Sequence, residues 1–281
     1  MPFEILDTLS IPGDPLKPND DAFAHAESAA VVLDGATSLG ESLMPGESDA
    51  AWIAHFGARR LMAHLRDGDA PREALRHALA DARKSFEALR RRPLKEKWET
   101  PFASMMLAHD LPDGFVALSF GDCVALVKRP DKDVEIVGEA FDKRAAEARR
   151  VAKLAAEQGL PPASGANRPE YLPSLRAGRN RINSGRHWAF SPDERAADHV
   201  EEWIIAAPRG TLVLLASDGF LALASDYGAY DADELVDAAR TTGLGALGEE
   251  LRAIEAGDPE GRRFPRFKRS DDATAVLLKL V

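Results

Sequence analysis

Cysteine, positive charge and long apolar runs are all scarce in this sequence. Cys123 is the one cysteine among 281 residues, so no disulfide forms within the chain, and a reducing compartment is favoured. The 36 lysines and arginines are outnumbered by 46 aspartates and glutamates, and a net charge of −10 argues against nucleic-acid binding. No apolar run approaches the roughly 18–20 residues of a membrane-spanning helix. The N-terminus lacks the basic and then apolar segments of a secretory signal. These absences predict a cytoplasmic protein that binds neither nucleic acid nor membrane.

The order of apolar runs and turn residues predicts the architecture. Strands are predicted at 29–33, 102–108, 115–120, 123–128, 134–137, 211–216 and 274–281, and helices at 49–66, 71–90, 139–158, 231–240 and 246–255. Gly121-Asp122 is predicted to be a tight hairpin turn, and 159–187 a long irregular insertion. Residues 102–137 leave no room for crossover helices, so the sheets are expected to be antiparallel. We predict an α+β fold in one domain, 1–281: a central sandwich of two antiparallel sheets flanked by helices on both sides, in four αββα layers.

Acidic residues gather wherever a predicted strand begins or ends. The pairs are Asp20-Asp21, Asp34-Gly35, Asp218-Gly219 and Asp271-Asp272, with Asp122 as a fifth position. A single Asp-Gly pair is usually only a turn, so the prediction rests on their joint occurrence next to apolar strands. Carboxylates that meet at one edge of a sandwich repel each other unless cations lie between them. Oxygen ligands of this kind select Mg²⁺ or Mn²⁺ over zinc.

The same motifs, in this order, resemble a known family. They are Asn19-Asp20-Asp21-Ala22-Phe23, Val32-Leu33-Asp34-Gly35, Gly121-Asp122, Ala216-Ser217-Asp218-Gly219-Phe220 and Asp271-Asp272-Ala273-Thr274. The pattern is similar to the metal-dependent protein phosphatases of type 2C, in a bacterial-like form, from about residue 13 to the C-terminus. The family fold is a sandwich of two antiparallel sheets with helices on both sides, which agrees with the architecture predicted above.

The resemblance implies a site for two Mn²⁺ or Mg²⁺ ions. Asp34 matches the aspartate that bridges both metals, and the Gly35 carbonyl matches a ligand of one of them. Asp218 and Asp271 match the remaining ligands of the first metal.

The resemblance also assigns roles around the second metal. Asp20 matches an acidic residue that serves this metal, and Asp21 one that holds metal-bound water. Asp122 matches an aspartate that, with the Asp218 position, can bind a third metal. The segment 139–200 stands where the family has a variable flap that influences substrate choice.

Several positions depart from the family pattern. Lys17 stands in the segment where a phosphate-binding arginine is usual, and it would supply charge without the bidentate fork of arginine. Residues 36–40 replace a glycine-rich segment, and the histidine that follows in some eukaryotic members is missing. Cys123 stands where serine is common. For the leaving group, His187 is a candidate general acid, although a structural histidine is the interpretation we favour.

The function implied is hydrolysis of phosphoserine and phosphothreonine esters on a phosphorylated protein substrate. Two cations that share a water lower its pKa, so that hydroxide attacks phosphorus at neutral pH. Asp34, Asp218 and Lys17 are the predicted catalytic residues. No covalent phosphoenzyme is needed, so Cys123 has no nucleophilic role in this mechanism.

Two other functions remain open at this point: a catalytically silent relative that binds phosphoprotein, and a phosphatase of small phosphorylated metabolites. The basic clusters at 143–153, 176–186 and 262–269 are interpreted as solvated surface or as attractors of an anionic substrate. The glycine pattern at 243–248 lacks a preceding strand and is interpreted as an interhelical turn rather than a dinucleotide site. The sequence specifies neither the physiological substrate nor the oligomeric state.

Overall fold

The computed structural model describes residues 1–159, 163 and 169–281, which form ten strands and seven α-helices. The strands are β1 (Phe3–Ile11), β2 (Asp21–Ala26), β3 (Ala29–Gly35), β4 (Ala103–Leu111), β5 (Gly114–Phe120), β6 (Val124–Lys128), β7 (Glu135–Val137), β8 (Glu201–Ala206), β9 (Leu212–Ala216) and β10 (Ala273–Leu280). The helices are α1 (Asp49–Arg66), α2 (Pro71–Leu89), α3 (Ala140–Gln158), α4 (Leu172–Arg179), α5 (Asp218–Ser225), α6 (Ala232–Thr241) and α7 (Leu244–Gly257). Short 3-10 turns cover Lys97–Glu99 and Glu194–His199.

The strands form two five-stranded sheets that are antiparallel throughout. The first sheet has the order β1-β10-β9-β6-β7, and the second has the order β2-β3-β4-β5-β8. Helices α1 and α2 pack on the outer face of the second sheet, while α5, α6 and α7 pack on the outer face of the first. The predicted four-layer αββα sandwich is confirmed.

Strand β3 shows why the run AAVVL is apolar at every position. Val31 and Leu33 face the cluster formed with α1 and α2, whereas Ala30 and Val32 face the core between the sheets. Successive side chains of a strand point to opposite faces, and here both faces are covered. The strand is therefore fully buried and holds its C-terminal end, where Asp34 lies, in a fixed place.

The two helices behind β3 begin and pack as their sequences predict. The Ser48 side chain accepts a hydrogen bond from the backbone N–H of Ala51 at 3.2 Å and caps α1. Pro71 occupies the first turn of α2, and Leu75 and Leu79 are buried against the sheet. Both helices therefore bury an apolar face against the second sheet.

The predicted hairpin at Gly121-Asp122 is wrong. β5 pairs with β4 and β8, whereas β6 pairs with β7 and β9, so the turn carries the chain from one sheet to the other. Gly121 has a φ of +76°, and a Cβ at this residue would lie 2.2 Å from the Ser104 Oγ. Only glycine allows this turn, which places Asp122 at the seam between the sheets.

Some elements differ from the prediction in extent. The stretch predicted to be irregular, 159–187, contains α4, and its residues 160–162 and 164–168 lie outside the described residues. Strands β1 and β8 and helix α5 were not predicted, and β2 was implied only by the acidic pair at its start. The glycine pattern at 243–248 forms the first turns of α7 rather than an interhelical turn. Among the described residues, no helix combines the length and apolar character needed to span a bilayer.

Candidate metal centre

Three of the predicted aspartates are brought together by the second sheet. Asp21 is paired with Asp34 in the β2–β3 ladder, and Asp34 is paired with Ser104 in the β3–β4 ladder. The hydroxyl of Ser104 donates a hydrogen bond of 2.5 Å to the Asp122 carboxylate. Asp21 and Asp34 thus lie on neighbouring strands, and Ser104 on the next strand links Asp122 to them.

The first sheet supplies the other two carboxylates of the cluster. Asp218 is the first residue of α5, directly after β9, and Asp271 lies two residues before β10. The backbones at these two points touch, because a Cβ on Gly219 would lie 1.9 Å from the carbonyl oxygen of Asp272. Only glycine at position 219 therefore allows the two backbone segments to pack this closely.

Glycine is equally required at the end of β3. A Cβ on Gly35 would lie 2.5 Å from the carbonyl oxygens of both Ala50 and Asp20. The N-terminal end of α1 is thereby packed directly against the turn that follows Asp34. Gly35 lines the same cleft as Asp34, Asp122, Asp218 and Asp271.

The carboxylates are close enough to disturb each other's ionisation. Burial, together with the charges of Asp218 and Asp21, raises the pKa of the Asp34 carboxyl well above its usual range. Burial also raises the pKa of Asp21, and the charges of Asp272 and Asp271 add to that effect. One oxygen of the Asp21 carboxyl, Oδ2, is buried without a hydrogen-bond partner. A buried, unpartnered oxygen within an all-carboxylate group fits a hard divalent cation, so the residues present suit Mg²⁺ or Mn²⁺.

Two basic side chains already neutralise part of this cluster. Arg144 of α3 forms ion pairs with Asp218 at 2.7 Å and with Asp226 at 3.0 Å. Burial raises the pKa of Asp218, but the charge of Arg144, the hydrogen bond with Asp34 and the charge of Lys268 together outweigh it, and the pKa is lowered. Lys268 forms an ion pair of 2.6 Å with Asp271, and this carboxylate keeps the lysine pKa above its usual range despite burial.

The Asp20 carbonyl accepts a hydrogen bond of 3.1 Å from the Gly35 N–H, but the side chains of Asp20 and Lys17 make their contacts outside the group around Asp34. The Asp20 carboxylate accepts hydrogen bonds from the hydroxyls of Ser48 and Thr37, the latter at 3.2 Å. Asp20 and Lys17 line an adjoining cavity, whose wall also contains Thr37 and Asp271. The Lys17 side chain is 75% exposed and pairs with Asp14 at 3.4 Å.

Asp272 has a structural contact that its position in the motif did not reveal. Its carboxylate accepts hydrogen bonds of 2.7 Å from the backbone N–H groups of Gly13 and Asp20. It therefore ties the loop before β10 to the loop before β2. This link joins the two sheets at the edge where the carboxylates meet.

The cations that line the Asp34 cleft were not assigned individually from the sequence. Each of the three basic clusters contributes one or more of them: Arg144 from 143–153, Arg179 from 176–186, and Arg266 and Lys268 from 262–269. The clusters themselves were the available signal, because attraction of an anionic substrate was one of their two interpretations. His187 is exposed and lines the same cleft.

Arg179 is the cation best held at the edge of this cleft. It donates a hydrogen bond of 2.6 Å to the carbonyl oxygen of Thr37, and its guanidinium lies 5.1 Å from the centre of the Phe102 ring. Burial lowers its pKa to about 10, an effect that the charge of Asp20 partly offsets. Arg179 is still a cation at neutral pH and is fixed in orientation.

Similarity to known proteins identifies the family of this chain. The family model described as Protein phosphatase 2C matches residues 16–252, and the chain belongs to this family. The sequence matches no curated protein. Family membership and the fold together support a metal-dependent phosphatase.

Solved structures of bacterial phosphatases share the fold. The PPM Ser-Thr phosphatase MsPP from Mycobacterium smegmatis, in complex with cacodylate, is similar at 18% identity, with 99% of each chain covered and a TM-score of 0.57. The serine/threonine phosphatase PstP/Ppp of Mycobacterium tuberculosis is similar at 14% identity, over 100% of this chain and 99% of that one, with a TM-score of 0.56. A PstP catalytic domain in complex with 2 manganese ions is similar at 14% identity, over 100% and 99% of the chains, with a TM-score of 0.55.

Proposed function

We propose that this chain hydrolyses phosphoserine and phosphothreonine esters on proteins, with the aid of two Mn²⁺ or Mg²⁺ ions. The observation that carries the proposal is the convergence of five carboxylates from both sheets, two of which have strongly raised pKa values. Such a group is stable as a set of anions only when cations join it. The family and the two manganese ions in the similar PstP catalytic domain support the same cofactor.

The proposed ligands divide between the two sheets. Asp34 would bridge both ions, and Asp218, Asp271 and the Gly35 carbonyl would complete the first. Asp21, which lies opposite Asp34, would serve the second ion together with bound water.

Asp20 and Asp122 would contribute less directly to metal binding. Asp20 is turned toward Ser48 and Thr37, so it would act on the second ion through water. Asp122, held by Ser104, would take part in a third, weaker site. When bound, the ions supply an activated water and neutralise negative charge on the phosphate oxygens.

The chain's own cations would bind and orient the phosphate. Arg179 offers a fixed guanidinium at the edge of the cleft, and the segment 139–200 would act as a flap that supplies both Arg179 and Arg144. Exposed Lys17 would assist only at the rim of the adjoining cavity. His187, exposed in the cleft, is the candidate to protonate the leaving oxygen.

Replacement of Arg179 with lysine tests the phosphate-binding role. We expect KM for a phosphopeptide to rise about 10-fold with a smaller change in kcat, because lysine keeps the charge but loses the planar fork. Steady-state kinetics with saturating Mn²⁺ measure both constants. Lys17→Ala is the matched control, and a larger KM change in this variant than in Arg179→Lys would return the role to Lys17.

The substrate class is tested by direct comparison. We expect phosphoserine and phosphothreonine peptides to give a higher kcat/KM than sugar phosphates and nucleotides at the same Mn²⁺ concentration. The open cleft and its several arginines suit an anionic segment of a protein surface. Faster turnover of the small metabolites would refute the protein-substrate part of the proposal and leave the metal-dependent phosphatase intact.

A second candidate function is binding of phosphoprotein without turnover. The ion pairs Arg144–Asp218 and Lys268–Asp271 favour it, since they neutralise two proposed ligands without any metal. Turnover of an aryl phosphate across a Mn²⁺ titration separates the two functions. Hydrolysis would exclude the silent alternative, whereas phosphopeptide binding with no hydrolysis at any metal concentration would establish it.

A further inference from the structure

A group of histidine and aspartate side chains lies at the far end of α1, away from the carboxylate cleft. Helix α1 begins against Gly35 and has 18 residues, so its C-terminal end is about 25 Å from Asp34, at 1.5 Å of rise per residue. His64 lies in the last turn of α1, Asp69 in the connection to α2, and His77 on α2. None of these residues takes part in the proposed phosphatase site.

Ligand atoms from these three residues converge on one point. The Asp69 Oδ2 lies 2.7 Å from the His77 Nδ1 and 3.5 Å from the His64 Nδ1. All three ligand atoms lie within 4.8 Å of one another. A tetrahedral Zn²⁺ with bonds of 2.0–2.1 Å has its ligand atoms about 3.3 Å apart, a spacing that the two distances to the Asp69 oxygen bracket.

The remote nitrogen of His64 is held by neighbouring side chains. Its Nε2 lies 2.9 Å from the Asp81 carboxylate and 3.4 Å from the Arg60 Nη2, and Asp81 also accepts a hydrogen bond of 2.7 Å from Arg60 Nε. With Nε2 engaged in these contacts, Nδ1 is the ring nitrogen that faces the Asp69 carboxylate. A cation between Nδ1 and this carboxylate would join two groups that both bind metal ions.

The surrounding residues match what metal-binding histidines usually have. A carboxylate on the remote nitrogen of a ligating histidine fixes its tautomer and orientation, and Asp81 occupies this place. Arg60 balances the charge of Asp81, so Asp69 is left to offset the charge of an ion. The backbone N–H of Asp69 donates a hydrogen bond of 3.1 Å to the His64 carbonyl, which holds the two ligands in register.

We propose that His64, Asp69 and His77 bind a divalent transition-metal ion, of which Zn²⁺ is the natural occupant. Two imidazoles and one carboxylate favour zinc and its neighbours over Mg²⁺, which prefers oxygen ligands. The fourth position faces solvent beside His77, whose side chain is half exposed. The ion ties the C-terminal end of α1 to α2 and is independent of the phosphatase site.

Zinc binding to the chelator-stripped full chain, in excess Mg²⁺, tests the proposal. Calorimetry should show one more Zn²⁺ bound by the wild type than by His77→Ala, with at least a 100-fold loss of affinity at this site. Asp81→Asn should weaken the site by about 10- to 100-fold, because it removes only the orienting carboxylate. The exposed imidazole of His25, which lies near Arg66 at the same end of α1, supplies the matched control His25→Ala.

Imidazole nitrogen NMR of the wild type gives a second readout that needs no variant. Addition of Zn²⁺ should shift the Nδ1 resonances of His64 and His77, and the His25 ring should stay unchanged. Equal zinc stoichiometry and affinity in wild type and His77→Ala, or unmoved Nδ1 resonances, would overturn the proposal and leave a hydrogen-bonded cluster. Neither measurement depends on phosphatase activity. Failure of the zinc proposal can therefore be distinguished from failure of the phosphatase proposal.

Discussion

Replacement of Asp34 with asparagine is expected to reduce turnover of an aryl phosphate by about 100-fold or more, a loss typical of the removal of one preorganised electrostatic partner. Asp34 lies between the carboxylates of the two sheets and would bridge both ions. An amide oxygen is neutral, so it cannot offset the charge of two cations. Initial rates measured across a Mn²⁺ titration give the comparison.

The fold of this variant should survive. The raised pKa of Asp34 means that its ionised form is less stable in the folded protein than in the unfolded chain. Without metal, asparagine removes this cost, so the melting temperature of the metal-free variant should equal or exceed that of the wild type. Asp113→Asn, at the exposed turn between β4 and β5, is the control for loss of a surface carboxylate. Wild-type rates in Asp34→Asn would show that Asp34 is only a turn residue.

Removal of divalent cations is expected to abolish turnover, and Mn²⁺ or Mg²⁺ should restore it. The activated water of the proposed reaction depends on the ions, and no residue of the cleft replaces them. The same ions should stabilise the fold, by about 2.7 kcal/mol at a free concentration of 100 times Kd. Thermal melts of the stripped protein during a Mg²⁺ titration measure this effect.

Asp34→Asn again provides the comparison for the metal titration. Its melting temperature should respond much less to Mg²⁺ than that of the wild type, because the bridging carboxylate is missing. Full turnover in a metal-stripped preparation would contradict the proposed chemistry. A melting temperature that rises equally in both proteins would place the stabilising ions elsewhere.

The elements that were predicted correctly are those in which the local residue pattern favours the same structure as the tertiary contacts. Helix α1 was predicted at its observed bounds, since Ser48 caps it and buried residues such as Ile53 and Leu61 repeat at helical spacing. Strand β3 was found because an apolar run ending at Asp34-Gly35 suits a strand covered on both faces. Local and global preferences pointed to the same structure at these places.

Other elements were missed because their sequence does not encode the partner. β5 and β6 are apolar strands separated by three residues, and such strands normally pair, yet the turn at Gly121 sends them to different sheets. Helix α5 is short and apolar, so its eight residues, which begin with Asp218, show no helical period that would distinguish them from a strand. Which sheet a strand joins depends on contacts between residues that are distant in sequence, and the residues of the turn do not specify it.

The same distinction applies to the candidate site, whose aspartates were predicted and whose arginines were not assigned individually. The aspartates were predictable because each lies at the end of an apolar strand, and strand ends meet at a sheet edge. Arg144 and Arg179 come from helices in the segment 139–200, where no strand end fixes their position in advance. Only the folded arrangement of α3 and α4 shows that these two arginines, among many, face the carboxylates.

The position of β10 has a consequence for how the protein is made. β10 lies between β1 and β9, so a ribosome must release residues 273–280 before β1 has a neighbour in its sheet. Pairing across such a sequence separation is slow, because a long loop must close first. Asp271 also arrives with this last segment. A nascent chain that lacks residues 271–280 therefore exposes an incomplete sheet and holds an incomplete set of the proposed ligands, so the proposed metal site forms only after this segment has left the ribosome.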